Sequence, residues 1–575
     1  MELKLAYRLF RMASTWMVGG WYSDVFIGGF ENVPKTGPLI LAVTHHNEIV
    51  DIAVLSASTP HGRPICFWAK SSMFKHPVMS FIMESGGAIR VHRSPNRVSS
   101  EDTSGTSTPT NSTRSVQPDL FEDTSLALSK GEAIGIFPEG TSYTLPAIAQ
   151  VLPGAAWAAV EYVRAVRAEK LALCTSEKER RVYLNGEGRR GERTGLGVVP
   201  VGIVYEDKRR YMSRVCVWFG EPVEVDDYTE ELFDEEVDPE EAAKVVARKL
   251  NAEIERGLVG LTVNAPDWET LYAARTAMKI LWADQENVHL ETWVDVSQSL
   301  VNLLSSPEPD EKLNQVRKSL MRYYSLLYYT HVNHTTLLEL VPLLFTPDST
   351  PTLDFPAILR AFFNLALGFP LALVWFVAFF PTFLFHIPGY IVSWLLLRAF
   401  GSPREEETHA EYRAIGGGLG IGLSTISILG VLWGMGALTQ LGLLGLSISV
   451  YTSVYILCKW HLLLIKRNLR QFRRLTTFVK LVLGALSRDK LRPKELQVYS
   501  TSPPPPVNVF VKGPSNADAI NAKHPPPISP GKLMRELLHA RLQAHINLGN
   551  YLRSLDREEV TFLLSQGARV PSVVS

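Results

Sequence analysis

The stretch Thr44-His45-His46-Asn47-Glu48-Ile49-Val50-Asp51 follows directly on the apolar run Pro38-Leu39-Ile40-Leu41-Ala42-Val43. An uninterrupted run of that length reads as a buried strand. The chain then leaves the strand at two adjacent histidines and enters a helix with Asp51 in its first turns. Four residues separate His46 from Asp51, which lets a loop histidine turn back on a carboxylate. Such a partner fixes the imidazole tautomer and stabilises its protonated form, and a histidine so held can act as general base towards a hydroxyl. Alone the pair is a weak signal, because an aspartate there also serves as a helix-capping residue.

The flanking sequence builds a domain around this stretch. Short apolar runs at 39–43, 65–68, 88–91, 133–137, 198–204 and 215–219 alternate with helical patterns. That alternation predicts an α/β domain around a mixed, largely buried sheet. The segment 94–119 is rich in Ser, Thr, Pro and Asp and almost lacks large apolar residues, so it predicts a disordered insertion. The five arginines of 180–194 predict a second exposed loop.

The whole chain has 575 residues, with 58 basic and 58 acidic side chains. The length calls for more than one folded unit, and the balanced charge gives no pointer to nucleic acid. Cys66, Cys174, Cys216 and Cys458 show no paired spacing, so neither a zinc site nor a disulfide framework is indicated. Residues 1–30 mix Lys4, Arg8 and Arg11 with Trp16 and Trp21, which fits a helix at a membrane interface. Residues 31–262 hold the α/β domain, and 263–356 read as a helical region. Within 357–470, the runs 361–400 and 415–465 are each long enough for two membrane passes. Four passes, as two hairpins, are expected, with two passes as the alternative. Lys466, Arg467, Arg470, Arg473 and Arg474 follow the last run and mark a cytosolic end; an even number of passes then places the α/β domain in the cytosol as well. Residues 471–575 read as a cytosolic tail, with a Pro-rich linker and a terminal helix over 530–564.

Three further blocks follow in the α/β domain: Gly86-Gly87-Ala88-Ile89-Arg90-Val91-His92-Arg93, Phe137-Pro138-Glu139-Gly140-Thr141-Ser142 and Val198-Val199-Pro200-Val201-Gly202. With the His-Asp stretch, in this order and spacing, they resemble the four motifs of the glycerolipid acyltransferases. The resemblance covers about residues 25–222. It extends to Phe67-Trp68-Ala69-Lys70-Ser71-Ser72-Met73-Phe74, similar to that family's Ala-Lys stretch, and to Ser213-Arg214 followed by Phe219-Gly220-Glu221-Pro222. With the insertion and the apolar C-terminal half, the chain most resembles fungal glycerol-3-phosphate/dihydroxyacetone-phosphate acyltransferases of the endoplasmic reticulum.

The resemblance implies a multi-pass enzyme of that membrane, carrying a fatty acyl group from acyl-CoA to the sn-1 hydroxyl of glycerol 3-phosphate or dihydroxyacetone phosphate. No cofactor is implied beyond the co-substrate acyl-CoA. His46 is the implied base and Asp51 its partner; some fungal relatives place the histidine one residue earlier, which leaves His45 as the alternative. Arg93 would bind the acceptor phosphate by a two-pronged contact, with Arg90 as the rival because it replaces a proline common in that block. Phe137, Glu139, Gly140, Thr141 and Ser142 would help position the acceptor, the last two as donors at a helix start. Pro200 would lie beside the acyl chain or support the site. The competing readings are a lysophospholipid acyltransferase, a non-catalytic lipid-binding relative, and a metal-dependent hydrolase using His45, His46 and Asp51. The last lacks a second ligand cluster.

Overall fold

The computed structural model describes residues 4–91, 118–185, 193–305, 311–344, 355–401, 405–487, 491–508, 525–555 and 558–571. The expected insertion at 94–119 lies almost wholly outside them, as do residues 186–192 of the expected loop at 180–194, whose first six residues belong instead to the helix Glu177–Asn185. The chain divides into two units, the first built from residues 1–143 and 148–262.

Among the described residues of the first unit eight strands form one sheet: β1 (Asp24–Gly28), β2 (Leu39–Val43), β3 (Ile65–Lys70), β4 (Ile89–Val91), β5 (Ala133–Ile136), β6 (Gly197–Tyr205), β7 (Arg214–Phe219) and β8 (Val223–Glu224). Their order is β1-β7-β6-β2-β5-β3-β4, with β8 on β6. The pairings of β6 with β7 and with β8 are antiparallel, and the others are parallel. The sheet is therefore mixed, as the alternating pattern predicts. Neither β1 nor β8 was among the expected strands: β1 has only Val25, Phe26 and Ile27 between Asp24 and its closing Gly28, and β8 has two residues.

β2 sits between β5 and β6, and all five of its residues are buried. This is why it reads as a continuous apolar run rather than an alternation. Among the helices that flank these strands are α1 (Lys4–Trp21), α2 (Ile49–Ser58), α3 (Pro77–Ser85), α4 (Pro118–Ser129) and α5 (Gly154–Leu173). α5 and the helix Pro239–Gly260 share a core with the sheet, in which Ala155, Ala158, Ala159, Val246, Leu250 and Ile254 meet Ile40, Ile134 and Val198. α1 buries Tyr7, Val18 and Trp21 but leaves Leu9, Phe10, Met12 and Trp16 exposed.

The second unit is helical. The helices Trp268–Leu281, Trp293–Leu304, Glu311–Thr330 and His334–Leu344 precede three long ones, Phe355–Phe400, Glu407–Gly434 and Ala437–Leu486. All three long helices are apolar enough to cross a membrane, and large apolar side chains such as Leu367, Phe369, Leu419, Ile426, Leu444 and Leu463 stand exposed along them. Among the described residues, three candidate spans thus stand where two hairpins were expected. The first run stays one helix through Pro370, Pro381 and Pro388, which apolar surroundings tolerate. The second run breaks once, at Gly436, whose φ is +76°. The first two long helices meet through small residues: a Cβ on Gly420 would lie 2.3 Å from Gly389, the close approach that small side chains allow between membrane helices.

The terminal helix is shorter than expected, Pro530–Ser554, with a second at Glu558–Ser565. It packs on Glu311–Thr330 and buries Leu533, Leu537, Ala540, Ala544 and Leu548 at helical spacing. This end of the chain is thus core rather than tail.

Candidate active site

Three loops meet at the carboxyl ends of the parallel strands β2, β5 and β6, where α/β sheets build their sites. The sheet itself sets the start of the first loop. Thr44 N–H donates to the Val201 carbonyl at 3.0 Å, and its hydroxyl accepts from Ile203 N–H at 2.9 Å. The chain then turns sharply into α2, with Glu48 at φ +46°.

Asp51 is the centre of that turn. It is wholly buried. Its Oδ2 accepts from His45 Nδ1 at 2.9 Å, from His46 N–H at 2.8 Å and from Asn47 N–H at 2.7 Å. Its Oδ1 accepts from the Tyr205 hydroxyl at 2.5 Å. Burial pushes the Asp51 carboxyl up, but the hydrogen bond and charge of His45, with the Tyr205 bond, outweigh it and hold the group below its ordinary range. It remains a carboxylate.

The ring that meets Asp51 is therefore that of His45, the alternative, and not that of His46. Successive side chains of an extended segment leave on opposite sides, so one carboxylate cannot receive both rings. His46 reaches Asp51 only through its amide, and its carbonyl accepts from Lys208 Nζ at 3.0 Å. Two contacts select His45. Its N–H donates to Glu139 Oε1 at 2.6 Å, and its ring lies 4.2 Å from that of Phe137 at 24°. With Nδ1 engaged, Nε2 is the nitrogen on the far side of the ring.

The third block forms the opposite wall. It is a turn, not the expected helix start, because α5 begins only at Gly154. Gly140 has φ +80°, and a Cβ there would lie 2.7 Å from Leu152, so glycine suits the position on two counts. Glu139 is fully buried, and its carboxylate faces the His45 amide. Ser142 Oγ accepts from Glu48 N–H at 3.3 Å; Thr141 is half-buried in the same turn. Pro200 is a buried residue of β6 opposite Ala42 of β2, and its carbonyl accepts from Gly220 N–H at 2.8 Å. It supports the sheet that carries the loop.

Arg93 lies outside the described residues, two positions beyond the end of β4. Arg90 is exposed, 2.9 Å from Glu84 and 4.7 Å over the Phe74 ring. Sequence reasoning missed Tyr205 and Lys208. Tyr205 ends an apolar strand, where only its polar tip sets it apart. Lys208 sits in the turn between β6 and β7, and its carbonyl accepts from Asn47 Nδ2 at 3.3 Å. Glu206 braces that turn, bound to Arg210 at 2.6 Å and Arg214 at 2.9 Å.

Residues 24–202 match the acyltransferase family model. This is an acyltransferase domain. The chain is 25% identical over 190 residues to glycerol-3-phosphate O-acyltransferase 2 of Saccharomyces cerevisiae, covering 33% of this chain and 21% of the relative. It is 26% identical over 209 residues to glycerol-3-phosphate O-acyltransferase 1 of the same yeast, covering 36% and 24%. The match thus spans between a fifth and a quarter of the length of these curated relatives. A looser likeness, with a TM-score of 0.23 and 20% identity, relates 44% of this chain to 78% of the 1-acyl-sn-glycerophosphate acyltransferase PlsC of Thermotoga maritima.

Proposed function

We propose that the acyltransferase domain transfers a fatty acyl group from acyl-CoA to the sn-1 hydroxyl of glycerol 3-phosphate, and to dihydroxyacetone phosphate, with His45 as general base. The observation that carries this reading is the 2.9 Å bond from His45 Nδ1 to a buried Asp51 inside the segment that matches the acyltransferase family. His45 Nε2 takes the proton of the acceptor hydroxyl as that oxygen attacks the thioester carbonyl. The new C–O bond forms, the C–S bond breaks, and the departing thiolate receives the proton from the imidazolium. Base and orientation together account for the residue types present. The likeness to two yeast glycerol-3-phosphate O-acyltransferases supports glycerol 3-phosphate as acceptor. Arg93 is assigned to its phosphate, and Glu139 is assigned to holding the His45 loop.

The enzyme is placed in the endoplasmic reticulum membrane with this domain cytosolic, where acyl-CoA is available. Three apolar helices would leave the two flanks of the membrane region on opposite faces if each crossed fully. Yet the flanks are bonded to each other: Lys466 to Glu286, Arg474 to Glu339, and Lys480 to the Thr330 carbonyl. One non-crossing, re-entrant arrangement reconciles the helix count with that pairing. The exposed apolar side chains and arginines of α1 fit a helix lying at the interface.

The test is incubation of the purified full chain in detergent with labelled acyl-CoA and each acceptor in turn. Labelled lysophosphatidate from glycerol 3-phosphate is the expected product. Acylation of a lysophospholipid alone would move the assignment to the second acylation step, and no acyl transfer to any acceptor would overturn it.

A further inference from the structure

The catalytic pair as described uses one oxygen of Asp51, while the other is held from a different element. Oδ1 receives the Tyr205 hydroxyl at 2.5 Å, and Tyr205 is the last residue of β6. Its phenol is buried. Burial, and then the negative charge of Asp51, push its pKa well above the ordinary range, so it stays a neutral donor. The ring stacks on Tyr22 at 5.8 Å and 27°.

We propose that Tyr205 is a positioning residue of the acyl-transfer site, acting on His45 through Asp51. The proposal rests on the reading of His45 as the base. Two physical consequences follow from the bond. A carboxylate bound on one oxygen only can turn about its own axis; donors on both oxygens, from the loop on one side and from β6 on the other, fix its plane. Oδ2 then stays aimed at His45 Nδ1. The hydrogen bond also draws negative charge from the carboxylate, which moderates how tightly Asp51 holds a proton on the imidazole. A base must be unprotonated before it can act, so the phenol keeps the pair usable at lower pH. Without the hydroxyl, Oδ1 of the fully buried Asp51 would have no donor, which is costly for a group sealed from water.

The test uses the purified full chain with acyl-CoA and glycerol 3-phosphate, across about pH 5 to about pH 9, the range in which histidine titrates. Tyr205→Phe keeps the ring and its stacking and removes only the donor. The expected result is a fall in kcat of roughly tenfold to a hundredfold, the cost of a misplaced catalytic group, with both KM values little changed. The acidic limb of the kcat/KM profile should move to higher pH. A 3-fluorotyrosine at position 205, nearly the same shape and a stronger donor, should move that limb to lower pH, which keeps the test decisive if the phenylalanine variant folds poorly. His45→Ala runs alongside: full activity there would remove the base that Tyr205 is said to serve. An inactive His45→Ala with unchanged rate and pH profile in both Tyr205 variants would overturn the Tyr205 proposal alone, leaving packing as its role.

Discussion

The His45–Asp51 loop and the basic end of the last long helix both depend on charged side chains, with opposite consequences. In the loop one carboxylate is sealed from water and takes hydrogen bonds from three donors on Oδ2 and one on Oδ1. In the helix Arg470 and Arg474 share Glu339 in pairs that remain partly open to solvent. Water can replace a lost partner in the second case and not in the first. A buried carboxylate thus makes each of its donors matter to geometry, whereas partly exposed pairs can be exchanged with little effect.

Asp51→Asn should show the larger side of that contrast. The amide brings its own hydrogens to a site already filled with donors, so turnover should fall by roughly 1,000- to 10,000-fold, as for other histidine-orienting aspartates. Stability should respond to pH as well. The Asp51 pKa is lowered in the folded state, so its contribution is present above the unfolded value of about 3.9 and is lost as pH falls through the folded value. Acid titration monitored by circular dichroism should show that loss in the native chain and a reduced one in Asp51→Asn.

Glu139→Gln separates two roles. If Glu139 holds the His45 amide, kcat should drop by roughly tenfold to a hundredfold while the KM for glycerol 3-phosphate hardly moves. A rise confined to that KM would make Glu139 an acceptor ligand instead. A smaller effect, on stability, is expected for Gly140→Ala, which meets Leu152 at a positive φ; thermal unfolding should register a loss of roughly 1–3 kcal/mol. Arg470→Gln should cost no more than about 1 kcal/mol and leave turnover unchanged. A larger loss there would erase the contrast between the two regions.

The sheet was legible because β2, β5 and β6 are buried on both faces and their apolar runs leave little choice of state. β1 and β8 were not: the apolar part of β1 is only Val25–Ile27, between Asp24 and Gly28, and β8 has two residues. The motif loops were legible as loops, but which histidine ring faces Asp51 was not. That choice is made by the Glu139 carboxylate and the Phe137 ring, some 90 residues away in sequence. Tyr205 carried no spacing signal at all. In the apolar half, hydropathy marked the helices, yet the count depended on whether three prolines or one glycine would break them. Gly436, with its positive φ, ended a helix, and Gly442, also at positive φ, left a kink inside the next.

The most direct test of the account is the turnover of His45→Ala and His46→Ala side by side, with glycerol 3-phosphate and acyl-CoA and with folding checked by thermal unfolding. Loss of the base should lower the rate of His45→Ala by roughly 100- to 10,000-fold. His46→Ala, which keeps the amide that binds Asp51, should stay within about tenfold of the native rate, since no ring contact to the reacting groups is lost. A dead His46→Ala beside an active His45→Ala would contradict the account and return the base to His46, five positions before Asp51.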